Sequence, residues 1–388
     1  MVRESELKQT KGGKLMKQYH KYVGLDVHKE RNEVAIAEAS GAVRLYGSIS
    51  NDLHALEKLV YKLRGENVVL HFVYEAGPCG FVIQRRLAQL GEDCIVVAPS
   101  LVPKKSGDRV KTDRRDAISL ARLHRAGELT AIHVPDQRDE AIRDLIRTRT
   151  DAVTDRRDNR HRLKAFLLRH GYKYSGKSSW TPAHLRYLRE LVLADPAHKV
   201  VLEEYLLAIT QSTERIQRLE QHITTLAAQW RMQPVVEALQ SLRGVQLLTA
   251  VAIAAELGDL SRFRHPRQLM AFLGLVASEY SSGPHRRQGS ITKAGNAHAR
   301  WFLVEAAQHY RLAPKVSKEL APRQEKLSAR LREISWKAQV RLHKKYWSMT
   351  LRGKRVQTIQ VAVARELVGF IWATALQVWP TIPPTTNN

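Results

Sequence analysis

YVGLDVHKE, residues 22–30, decides how the first part of this chain is read. Val23 and Leu25 alternate with Gly24 and Asp26, the period-two pattern of a half-buried strand that ends on an acid. A second apolar run, Val68 to Tyr74, is followed at once by Glu75. Asp113 and Asp116 stand three apart in KTDRRDA, on one face of a helix that continues through Ile118, Leu120 and Leu123. Clustered carboxylates repel and raise one another's pKa, so a fold that gathers these four acids holds a divalent cation. An all-oxygen set suits Mg²⁺ or Mn²⁺ better than zinc. The competing reading is four unrelated surface acids.

Outward from these acids the pattern is β, β, β, α, β, α, β, α. Expected strands are Tyr22–Val27, Glu33–Ala39 and Val43–Ser48, with Ser40-Gly41 turning the second into the third. Asn51 is expected to cap a helix carrying Leu53, Leu56, Leu59, Val60 and Leu63. Strand Val68–Tyr74, a helix from Pro78 towards Leu90 and strand Cys94–Ala98 follow. The run Val102–Val110, with Lys104, Lys105, Arg109 and then Lys111, reads as a basic loop entering the Asp113/Asp116 helix. Three antiparallel strands followed by strand–helix alternation make an α/β sheet covered by helices, with Asp26 and Glu75 at neighbouring strand positions. By analogy, the order is that of ribonuclease-H-like nuclease folds.

A chain of 388 residues has room for two or three domains. Lys and Arg outnumber Asp and Glu by 63 to 38, a net charge of +25, which marks a polyanion binder and above all a nucleic-acid binder. A basic membrane-surface protein would need an amphipathic helix or a lipidation signal, and neither is read here. Cys79 and Cys94 have no zinc spacing, which fits a reducing cytosol. MVRESELKQTKGGKLMKQYHK lacks the apolar core of a signal peptide, and the longest apolar stretches, such as Leu247–Ala255, read as too short to cross a bilayer. The expectation is a soluble cytoplasmic protein with no membrane partner.

Four segments are expected: a flexible basic arm over 1–20, the α/β domain over 21–134, a helical and coiled-coil region over 135–235, and a mainly helical domain over 236–388. Residues 137–170 form one long helical pattern whose apolar stripe lapses across Arg156, Arg157 and Arg160. That gap is either a solvated face or a phosphate-contacting one, and the global charge favours the second. In the next helix Leu202, Ile209, Ile216 and Ile223 recur every seven residues, a short coiled-coil seam. The seam serves either dimerisation or a hairpin within one subunit. SLRGVQLLTAVAIAAELGDLSRF reads as helix, Gly244 turn, helix: either a phosphate-facing hairpin or a core packed closely through Ala. Beyond it, Ser281-Ser282-Gly283 is followed by His285, Arg286, Arg287 and Lys293. A serine alcohol needs a base, a metal or cationic neighbours before it attacks, and clustered cations clamp a phosphodiester. Taken alone, Ser-Ser-Gly is a turn.

GLDVHK, Glu75, KTDRRDA, GLVASEYSSG and ITKAGNAHARWFLVEAA together resemble the insertion-sequence one-ten family of DEDD transposases, kin to the pilin-gene invertases. The resemblance spans about 20–130 and 236–312. It implies a RuvC-like, ribonuclease-H-fold domain binding Mg²⁺ through Asp26, Glu75, Asp113 and Asp116. It also implies a helical domain with a catalytic serine, and a structured guide RNA that selects donor and target DNA. Ser282, directly before Gly283, matches the serine, with Ser281 the second candidate; a proline common ahead of that loop is Ala277 here. The expected protein is a bacterial DNA recombinase, working on the nucleoid as a dimer or tetramer, with a composite site between subunits. Lys104, Lys105, Arg109, Lys111, Arg156, Arg157, Arg160, Arg286, Arg287 and Lys293 are its expected nucleic-acid contacts. A metal-dependent nuclease acting by hydrolysis and a non-catalytic packaging protein are the alternatives. Trp336, Trp347, Trp372 and Trp379, in basic helices after Leu312, belong to no motif.

Overall fold

The structure, a computed structural model, describes residues 18–103, 112–282, 285 and 287–379, in two compact units, Met1–Val134 and Pro135–Asn388. Lys104, Lys105, Arg109, Lys111 and Arg286 lie outside the described residues, as does the basic arm up to residue 17.

In the first unit β1 (Tyr19–Val27), β2 (Arg31–Glu38) and β3 (Arg44–Ser50) pair antiparallel. Strands β4 (Val68–Glu75) and β5 (Asp93–Val97) add in parallel beyond β1, giving the order β3-β2-β1-β4-β5. Tyr19 and His20, expected in the arm, belong to β1. The parallel joins run through helices, α1 (Leu53–Leu63) and α2 (Val82–Gln89). Asp52, not Asn51, caps α1: its carboxylate accepts from the Ala55 N–H at 2.7 Å. Asn51 instead donates to the His28 carbonyl at 2.7 Å and accepts from Asn32 at 3.2 Å, so its amide ties the β1–β2 turn to β3.

Side-chain alternation splits the sheet. Val23, Leu25, Phe72 and Tyr74 share a core with Leu56, Leu59 and Val60 of α1 and Leu87 of α2. The opposite face is covered by α3 (Asp113–Arg125): Ala117 and Ala121 pack with Ala35 and Ala37, and Leu120 with Val73. Gly24 makes this approach possible. A Cβ there would land on the Ala117 carbonyl oxygen and 2.6 Å from the Ala121 nitrogen.

The second unit is mainly helical. Its helices are α4 (Gln137–Arg169), α5 (Pro182–Glu190), α6 (Pro196–Ala227), α7 (Gln233–Leu239), α8 (Leu247–Leu257), α9 (Pro266–Phe272), α10 (Ala297–Ala307), α11 (Ala321–Glu325), α12 (Ala329–Leu351) and α13 (Val356–Val378). A short antiparallel hairpin, β6 (Ala277–Glu279) and β7 (Gln288–Ile291), stands between α9 and α10. Helices α4 and α6 run antiparallel, tied by Arg149–Glu220 and Arg215–Asp155. The heptad residues of α6 are buried, and Leu202 and Ile209 pack with Leu163, Phe166 and Leu167 of α4 and Leu188 of α5. In this chain the repeat serves an intramolecular hairpin. Helix α8 is buried from Ala250 to Leu257, the close-packed core of the two readings left open for it.

Helix α13 corrects the expectation about apolar stretches. At 23 residues it is long and apolar enough to cross a membrane by length and composition. Its Ile359, Val363, Leu367, Val368 and Ile371 lie in one core with residues of α7, α8 and α10, so its apolarity is that of a central packed helix.

Candidate metal centre and serine hairpin

Leu25 pairs with Tyr74 in the parallel β1–β4 ladder, so the next residues, Asp26 and Glu75, stand side by side near the ends of neighbouring strands, on the face that α3 covers. Thr112 caps α3, accepting from the Arg115 N–H, and sets Asp113 and Asp116 in the first turn, where the N–H-rich helix end favours negative charge. His28 Nε2 lies 3.0 Å from Asp26 Oδ2 and 3.5 Å from Asp113 Oδ1. Ligand atoms of these three residues fall within 4.8 Å of one another. Asp116 is near enough to act on Asp26 electrostatically, and Glu75 stands beside Asp26 by register.

Burial raises the Asp26 pKa; the His28 hydrogen bond and charge pull it down, the charges of Asp116 and Asp113 push it up, and the net shift is upward. A half-buried carboxylate among other carboxylates gains most from a cation at its oxygens, so this donor set fits a divalent metal ion. Two neighbours were missed in the motif reading. His28 sits in the opening stretch itself, two residues past Asp26 and so on the same face. Glu33 lies directly across the ladder from Asp26, with Arg114 of α3 3.9 Å from its carboxylate. Only the β1–β2 register reveals it, and register depends on turn length.

In the second unit Ser282 and His285 exchange backbone hydrogen bonds at 3.2 Å at the tip of the β6–β7 hairpin. Ser281 Oγ donates to Glu279 Oε1 at 2.8 Å, and Gln288 Nε2 donates to Glu279 Oε2 at 3.2 Å. Glu279, also missed in the motif reading, therefore holds a serine hydroxyl against a proton-accepting group. The hairpin base is closed by Thr292 N–H to the Val276 carbonyl and Lys293 N–H to the Gly274 carbonyl. Gly295, at φ +70°, follows; a Cβ there would strike the Phe272 carbonyl, so the outgoing strand lies against the end of α9.

Asn296 then caps α10, accepting from the Ala299 N–H at 2.9 Å, and donates to Glu256 Oε2 at 2.6 Å. The Glu256 side chain, on α8, is 0% exposed. It also receives both arms of Arg147 from α4, at 2.8 and 2.9 Å, and His298 Nδ1 lies 2.9 Å from its Oε1. Burial opposes its ionisation, but the hydrogen bonds from His298, Arg147 and Asn296 prevail and hold its pKa at about 2.

Comparison with known proteins covers both units. A profile of DEDD transposases of the IS110 group matches residues 23–171, and the profile "Transposase IS116/IS110/IS902 family" matches residues 236–321. A curated relative, y4qE of Sinorhizobium fredii, is 45% identical over 373 residues, which is 95% of this chain and 92% of the relative. The transposase for insertion sequence element IS1533 of Leptospira borgpetersenii is 30% identical over 339 residues, 86% of this chain and 98% of that one. The chain belongs to the IS110/IS116 family of transposases.

As a transposase it is of the class that binds, cuts and rejoins DNA. The first matched segment contains Asp26, Glu75, Asp113 and Asp116, and the second contains the serine hairpin. In this transposase Arg156, Arg157 and Arg160 of α4 line a groove of about 410 Å³ with His161, Lys164 and Trp180. The Arg160 guanidinium stands over the Trp180 ring, 4.7 Å from its centroid. Arg287 is exposed near the tip of the hairpin, where its carbonyl accepts from the Tyr280 N–H, and Lys293 is exposed at its base.

Proposed function

We propose that this transposase cuts and rejoins DNA through a covalent serine–DNA intermediate, with a divalent metal in a RuvC-like first domain and a structured RNA choosing donor and target. The gathering of Asp26, His28 and Asp113, with Asp116 in reach, carries the reading, because it sits in a segment that matches DEDD transposases. The sheet order β3-β2-β1-β4-β5, three strands antiparallel and then two parallel, supports a ribonuclease-H-type fold for that domain. Asp26, Glu75, Asp113 and Asp116 would hold Mg²⁺ or Mn²⁺, which when bound supplies positive charge to the phosphodiester and its departing oxygen.

Ser282 Oγ attacks the phosphorus, an O–P bond forms, the bond to the 3′-oxygen breaks, and the departing 3′-oxygen takes a proton from water to leave as a 3′-hydroxyl. The serine proton passes to a neighbouring acceptor; for Ser281, the second candidate, that acceptor is the Glu279 carboxylate. Attack by a 3′-hydroxyl on the serine phosphoester restores both the diester and the free serine, so the bond energy is kept and no ATP is needed. Arg287 and Lys293 neutralise phosphate near the serine. Arg156, Arg157 and Arg160, together with Lys104, Lys105, Arg109, Lys111 and Arg286, hold DNA or RNA backbones. The working form is a dimer or tetramer in the bacterial cytoplasm.

The test incubates the full chain with Mg²⁺, RNA transcribed from the DNA flanking its gene, and DNA carrying both sites, and resolves products on denaturing gels. Ser282→Ala is expected to bind DNA and give no protein–DNA band, and Asp26→Asn is expected to give none either. If Ser281→Ala alone loses the band, Ser281 is the nucleophile. Cut and rejoined DNA from both serine variants would replace this reading with a hydrolytic nuclease.

A further inference from the structure

The tryptophans after Leu312 divide into two kinds. Trp372 and Trp379 pack against the core, and Trp372 Nε1 donates to the Phe263 carbonyl at 2.9 Å. Trp336 and Trp347 of α12 are 46% and 45% exposed, and Val340 between them is 45% exposed. Their spacing puts the three on one helix face, about 16 Å from first to last along the axis.

Trp347 is not a loose ring. Its Nε1 donates to the Arg311 carbonyl at 2.9 Å, and His343 and Tyr346 meet it edge-on. An indole held this firmly and still exposed is a preset stacking platform, because little side-chain freedom is lost when something lies on it. The chain from Arg311 to Lys318 is tied along α12, with the Lys315 N–H donating to Gln339 Oε1 at 3.0 Å. It presents Leu312 and Val316 with exposed Arg311, Lys315 and Lys318 among them. On α12 itself Arg341 and Lys345 turn to Glu366 of α13, whereas Lys344 is exposed on the tryptophan side.

Exposed aromatics alone would suit a protein partner. On the same face the Glu333 carboxylate is taken up by Arg330 and Lys337, so the charges left beside the rings are cations. Aromatics beside cations match a different chemistry: bases out of the duplex stack on the rings while the phosphates meet the cations. We propose that this face of α12 binds single-stranded DNA, the unpaired stretch that cutting and rejoining exposes, with bases on Trp347 and Trp336 and phosphates at Arg311, Lys315 and Lys344. The proposal rests on the DNA-processing class of the enzyme and is independent of which serine reacts.

The test uses the full-length protein and single strands of about 12 nucleotides carrying one 5-iododeoxyuridine. Strands are cross-linked by light and the adducts mapped by mass spectrometry. Adducts are expected on Trp336 and Trp347. Trp347→Leu should lose its adduct and bind the strand about tenfold more weakly, with affinity for the matching duplex unchanged. Lys344→Glu, at an exposed position remote from the core, should lower the Trp347 adduct yield with an unaltered melting curve. Adducts only outside 311–351 would overturn the proposal, as would cross-linking here by the same sequence in RNA but not in DNA. Sedimentation showing that Trp336→Leu breaks self-association while adduct yields hold would make the face a protein interface instead.

Discussion

Glu279 separates the two serines chemically, since its carboxylate accepts from Ser281 while Ser282 is held by backbone bonds to His285. With Ser282 as nucleophile, Glu279→Gln keeps an acceptor oxygen for Ser281 and should slow single-turnover adduct formation less than about tenfold. Loss of a general base costs about 10²–10⁴. A loss of that size would move the chemistry to Ser281. The placement of the four acids at strand ends and at a helix start was readable from sequence, because one-dimensional patterning marks those positions. Glu33 was not, because it faces Asp26 across a hairpin whose register is not written in any single residue, and His28 and Glu279 were passed over although Asp26 and Ser281 stand only two residues from them.

Between elements, close approach and buried charge decide. Gly24→Ala places a methyl against the backbone of α3 at Ala117 and Ala121, and overpacking of this kind costs about 1–3 kcal/mol. Because the start of α3 carries Asp113 and Asp116, Mn²⁺ affinity should fall in the variant even in the fraction that urea titration shows to be folded. Glu256 joins α4, α8 and α10. Its folded pKa is depressed from 4.5 to about 2, so its contribution is full above the unfolded value and is lost as pH falls from about 4.5 towards 2. A depression of that size is worth about 3 kcal/mol. In urea titrations Glu256→Gln should be weakest relative to wild type at pH 7, with the gap narrowing below about pH 4.5; a constant gap would show that the carboxylate's charge is not what stabilises this junction. The strands and the long helix of residues 137–170 were legible by period, and the heptad of α6 correctly marked a buried seam. What covers that seam was not legible, because a seven-residue repeat is the same whether the partner helix is in the same chain or another. The capping residue of α1 was misread for a similar reason: Asn51 and Asp52 both suit a cap, and only the tertiary bonds of Asn51 decide between them.

For the whole molecule the net charge of +25 makes DNA affinity a function of salt. Duplex affinity should fall on a log–log plot with a slope of roughly −0.9 per phosphate contacted, and reversing Arg156 and Arg160 to Glu should flatten it by about two contacts. An unchanged slope would remove the α4 groove from the DNA path. Helix α13 has a consequence of another kind. A ribosome releases α7, α9, α10 and α12 before the helix whose apolar side they all pack against. A nascent chain halted anywhere upstream of Val356 therefore leaves those surfaces bare, and products of premature stop codons should be aggregated or degraded rather than accumulate. Pulse-chase labelling of a stop at 355 would show it. Genetically, truncating alleles of this transposase are then expected to be recessive, because the broken protein does not survive to interfere with the intact one.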